Sequence, residues 1–183
     1  MARSDAIDFA PVLGVACPVG VVVLHGVGGG GKSTIAATWA AHVTNGIPCV
    51  PWERASTNRE PAGVLWLTSE EDIERLVLPR HKALGGDIDR ILVPDVWVTE
   101  KDDDGHAIAT DMDIEHDLRD MLADARAMRN SVRLVVCDAL AALVRWNGRN
   151  SNSDADVKQV MARLRAIAEE YDCCILAIAH NNT

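Results

Sequence analysis

The 183 residues are enough for one domain with a buried core, and the composition, 48% hydrophobic and 25% charged, is that of an ordinary soluble globular chain. A net charge of −9 argues against a domain that coats nucleic acid with a basic surface, though it leaves room for contact through a few loops. No apolar run approaches the roughly 20 residues that cross a bilayer. The apolar stretch from Ala10 to Leu24 is broken by Pro11, Gly14, Pro18 and Gly20, so no membrane span and no signal peptide is expected.

Strand-like and helix-like stretches alternate along the chain. Residues 1–19 are a lead-in. Residues 21–24 read as a buried strand and 32–43 as a helix stopped by Asn45 and Gly46. A polar connection with three prolines spans 48–61. Residues 64–67 read as the next strand and 73–84 as the next helix, closed by Gly85 and Gly86. Residues 91–98 read as a strand interrupted or held at an edge by Pro94, and 101–111 as a charged loop. A helix is expected over 114–128 with Asp113 as its N-cap, a strand over 134–137, a polar loop over 147–153, a helix over 154–171 and a last strand over 174–179. This alternation predicts one α/β domain, a mostly parallel sheet with helices on both faces and ligands bound beyond the carboxyl ends of its strands. Cys17, Cys49, Cys137, Cys173 and Cys174 form no CxxC pair. They read as buried thiols of a reducing, cytoplasmic compartment.

Gly26, Val27, Gly28, Gly29, Gly30, Gly31, Lys32 and Ser33 fit the phosphate-binding pattern GxxxxGK(S/T), between a strand and a helix as the motif requires. Glycines let the backbone close around phosphate oxygens, and the following helix points its first N–H groups at the same anion. Lys32 is expected on the β- and γ-phosphates of ATP, the Ser33 hydroxyl on Mg²⁺ and Thr34 on the α-phosphate. Asp138, at the end of an apolar strand, is expected to act on the metal opposite Ser33. Ala139 follows it, where many ATPases of this kind carry the water-activating glutamate, so the base must come from elsewhere. Residues 64–67 lead into Thr68, Ser69, Glu70, Glu71 and Asp72. Glu70 is the expected base. Glu71 and Asp72 are assigned to the start of the next helix. His180, after the last strand, is a candidate sensor of the γ-phosphate. No Asn-Lys-x-Asp guanine motif and no arginine-rich lid is present, so a GTPase or a small-molecule kinase fits less well.

In this order the motifs resemble the RecA-like core of the RepA-type hexameric helicase family, a relative of the DnaB and KaiC ATPases. The resemblance rests on residues 63–72, on Leu78, Pro79 and Arg80, on Ala83, Leu84 and Gly85, on 133–140, on 152–163 and on 178–182. It places Glu70 on the catalytic glutamate. It departs at Ala139, where the family carries proline. The resemblance implies a homo-oligomer, a hexameric ring, that drives single-stranded DNA by ATP hydrolysis. It also implies further strands, a second DNA-facing loop and an arginine finger beyond residue 183. In RecA-like rings the loop after the Asp138 strand lines the channel. Here that loop, residues 141–153, carries Arg145, Trp146 and Arg149 and no acid. Arginines contact phosphates and an indole stacks on a base, so these three are the DNA-contact candidates. The alternatives are a recombinase-like or KaiC-like ATPase with a protein partner, and a nucleotide-binding regulatory module with little turnover.

Overall fold

Short runs rich in Val, Leu and Ile, each followed by a crossover, set the architecture. The computed structural model describes residues 19–47, 60–69, 71–94, 97–101, 107–128, 131–151 and 153–180. Strands β1 (Gly20–Gly26), β2 (Gly63–Thr68), β3 (Ile91–Leu92), β6 (Val132–Asp138) and β7 (Cys174–His180) form one sheet in the order β1-β7-β6-β2-β3. Every pairing in it is parallel. Helices α1 (Lys32–Asn45) and α2 (Leu78–Ala83) lie on one face. Helices α3 (Ile114–Ala127), α4 (Leu140–Leu143) and α5 (Asp154–Tyr171) lie on the other. Successive strand residues point to opposite faces. Val64, Trp66, Leu134, Val136, Leu176 and Ile178 therefore pack under α1 and α2. Leu65, Leu67, Val135, Cys137 and Ile175 pack under α3 and α5. Cys137, Cys173 and Cys174 are buried free thiols, with burial holding Cys173 up at about 12. Cys17 and Cys49 lie outside the described residues. Among the described residues no helix is long and apolar enough to cross a membrane.

Two expected elements are built differently. The helix over 73–84 is divided: Ile73–Val77 is a π-helical turn and α2 follows it. Pro79 lacks an N–H, so it cannot continue the regular ladder, and the preceding turn winds wide, with the Val77 and Leu78 amides both reaching back five residues. Residues 107–111 of the expected charged loop form a strand instead. Strands β4 (Trp97–Lys101) and β5 (Ala107–Asp111) pair antiparallel as a second sheet, Val98 opposite Thr110 and Glu100 opposite Ile108. The acids at 102–104 hide the β-branched strand signal in Ile108 and Thr110. Asp113 caps α3 as expected, its carboxylate accepting from the Glu115 amide at 3.2 Å.

The turn that closes α2 is fitted around one ring. His81 is fully buried, and its Nε2 lies 3.2 Å from the Asp87 carbonyl. Burial depresses its pKa, so the ring is neutral. A Cβ on Gly86 would sit 2.2 Å from that same Nε2. Gly86→Ala is therefore expected to force the ring out and lower stability by about 1–3 kcal/mol. Urea denaturation checks this, and an unchanged midpoint would contradict the packing described.

Candidate functional site

The phosphate loop joins β1 to α1 at the carboxyl edge of the sheet. Gly29 and Gly31 have φ of 73° and 80°, the left-handed region that glycine enters without strain. Gly31 is also the N-cap of α1, which aims the free N–H groups of the first helical turn into the loop. Lys32, the first helical residue, is buried at 6% exposure, and its Nζ donates to the carbonyls of Gly26 and Val27, both at 2.9 Å. The ammonium is thus held over the loop by backbone rather than left to sample solvent. Gly28 and Val27 complete the turn, the Gly30 amide bonding to the Val27 carbonyl at 3.2 Å.

Ser33 is the residue that joins this loop to the rest of the edge. Its Oγ donates to Asp138 Oδ2 at 2.7 Å, across 105 residues of sequence. Asp138 ends β6, is 2% exposed, and is paired in register with Thr68 at the end of β2. The Asp138–Ala139 peptide is cis. A hydroxyl and a carboxylate side by side are hard oxygen donors of the kind Mg²⁺ takes in company with phosphate oxygens, so this pair fits the ion. Residues 29–34, Glu71, Arg80 and Asp138 line one cavity of about 320 Å³, enough for a polyphosphate.

Glu71 is here, and the assignment of both Glu71 and Asp72 to the helix start holds only for Asp72. The Asp72 carboxylate caps the π-helical turn by accepting from the Arg75 amide at 2.9 Å. One residue earlier, the Glu71 amide donates to Thr68 Oγ1 at 3.1 Å, and the side chain enters the cavity wall, where Arg80 Nη1 donates to both its oxygens at 3.1 and 2.9 Å. The deciding signal is which of three consecutive acids caps the helix, which only the backbone reveals. Glu70 lies outside the described residues, as do Asn181 and Asn182. The backbone of His180 closes β7 opposite Gly26, where the chain enters the phosphate loop, and its side chain is outside the description.

The DNA-contact candidates lie apart from this cavity. Trp146 packs against the core under α3 and α5, and its Nε1 donates to the Ala141 carbonyl at 3.0 Å. Arg149 stacks 5.9 Å from the Trp146 ring and donates to Glu115 at 2.5 Å and to the Arg145 carbonyl at 2.6 Å. That carboxylate also receives Arg163 at 3.0 Å and is almost wholly buried. The hydrogen bond to Glu115 raises the Arg149 pKa above its ordinary value. Glu115 had no local signal, because its two partners lie 34 and 48 residues away.

A family model described as an AAA domain matches residues 15–183. The chain belongs to the AAA domain family. No curated protein matches it. Membership makes this AAA domain a P-loop ATPase in which nucleotide binding is the general function.

Proposed function

We propose that this AAA domain binds ATP with Mg²⁺ and hydrolyses it as the motor core of a RepA-like replicative helicase, working in a hexameric ring on single-stranded DNA. The single observation that carries the ATP reading is the 2.7 Å bond between Ser33 and Asp138 beside the buried Lys32. It brings a metal-binding hydroxyl, a metal-binding carboxylate and a phosphate-binding cation to the mouth of a helix. Lys32, Ser33, Thr34 and the loop glycines would hold the phosphates. Bound Mg²⁺ would add charge neutralisation on the β- and γ-oxygens. Glu70 would polarise the attacking water and His180 would sense the γ-phosphate. The helicase part rests on the resemblance in motif order.

The test is phosphate release by the full-length, assembled protein with and without single-stranded DNA. DNA should stimulate turnover, and Arg145→Ala should weaken DNA binding and reduce the slope of log affinity against log salt by about 0.7 for each phosphate that the variant no longer neutralises. ATP binding should stay as it was. Turnover indifferent to DNA, with no DNA bound, would remove the helicase reading. The inward commitment of Trp146 and Arg149 then favours the second reading, an ATPase core with a protein partner.

A further inference from the structure

Arg80 is the second cation of the cavity, and nothing in the phosphate-loop pattern accounts for it. It sits on α2, directly after Pro79 and the wide turn. Both it and Glu71 are largely buried, with side chains 27% and 19% exposed, so their pair is more than a solvated surface contact. Glu71 is itself anchored, through its amide on Thr68. The carboxylate takes Nη1 alone. Nη2 and Nε are not engaged among the described residues, and a guanidinium can offer them to a second anion.

The order along the carboxyl edge points to a terminal phosphate. The phosphate loop follows β1, Asp138 ends β6, and Glu71 and Arg80 follow β2, the next strand outward. A phosphate chain anchored at residues 29–34 and directed toward Asp138 would meet Arg80 with its terminal group. The charges agree. The cavity wall balances Lys32 and Arg80 against Glu71 and Asp138. A magnesium triphosphate adds negative charge beside Glu71, and that charge competes for the guanidinium.

We propose that Arg80 is a terminal-phosphate ligand supplied in cis, held on Glu71 and transferred to the γ-phosphate when a nucleoside triphosphate binds. The site then separates triphosphate from diphosphate within one subunit, and the Glu71 carboxylate is the competitor that sets how strongly. This rests on the ATP-site reading.

The test is equilibrium binding of Mg·ADP and of the magnesium imido analogue of ATP, measured on the whole chain. Arg80→Ala should weaken the triphosphate analogue by roughly 10- to 100-fold and leave ADP affinity unchanged. Arg80→Lys, which keeps the charge and loses the fork, should fall between. Glu71→Gln should tighten the triphosphate analogue and not ADP, and Arg80→Ala should cancel that gain in the double variant. Equal losses for both nucleotides in Arg80→Ala and Arg80→Lys, or no loss, would overturn the proposal. So would a Glu71→Gln variant that gains nothing. Lys32→Ala separates the two readings: retained nucleotide binding there removes the ATP site itself, whereas abolished binding there with normal triphosphate affinity in Arg80→Ala removes only the role of Arg80.

Discussion

Lys32→Ala is expected to remove binding of Mg·nucleotide while the domain stays folded. The ammonium is buried and already fixed on the Gly26 and Val27 carbonyls, at the point where the helix opens toward the cavity. Little reorganisation is needed for it to meet a phosphate. Truncating a buried, hydrogen-bonded charge against a charged partner costs about 2–5 kcal/mol, or roughly 30-fold to several thousand-fold in affinity. The fold tolerates the change because alanine is the best helix former and the core lies deeper, at Ala36, Ala37 and Ala40. Titration with a fluorescent ATP analogue, beside a thermal melt, checks both halves. Unchanged affinity in a folded variant would contradict the phosphate-loop assignment.

The second large effect concerns the base. Glu70→Gln in the full-length, assembled protein should keep ATP binding and lose about 10²- to 10⁴-fold in turnover, because an amide keeps the shape and cannot take a proton. Glu71→Gln should retain turnover and act on triphosphate affinity instead, since Glu71 is committed to Arg80. The two carboxylates are adjacent in sequence, and single-turnover phosphate release distinguishes them. A Glu71→Gln variant without hydrolysis beside an active Glu70→Gln variant would exchange their roles.

Much of this was legible in the residues alone, for physical reasons. Strands buried on both faces read as short apolar runs, so β2 and β6 stood out, and α5 ran over the expected 154–171. The loop between β1 and α1 is local in sequence, so its glycines, Lys32 and Ser33 could be read at fixed spacing as a candidate phosphate site. What depended on distant partners was not legible. The Glu71–Arg80 pair spans a wide turn that the sequence does not announce, and Arg80 reaches the cavity wall from beyond it. The Glu115 carboxylate binds arginines from two later elements, which turns Arg149 toward the domain where composition suggested an outward basic loop. The β4–β5 pairing was hidden because the sequence between the two strands carries three acids and reads as a solvated loop.

If the Ser33–Asp138 pair and Lys32 form one Mg·ATP site, nucleotide binding must depend on the metal. Titration of the wild-type chain with a fluorescent ATP analogue, in Mg²⁺ and then in excess chelator, tests this most directly. Saturable binding at one site per chain, displaced by ADP and much weaker without the metal, is the expected result. Binding that fails to saturate, or that is the same with and without Mg²⁺, would contradict it.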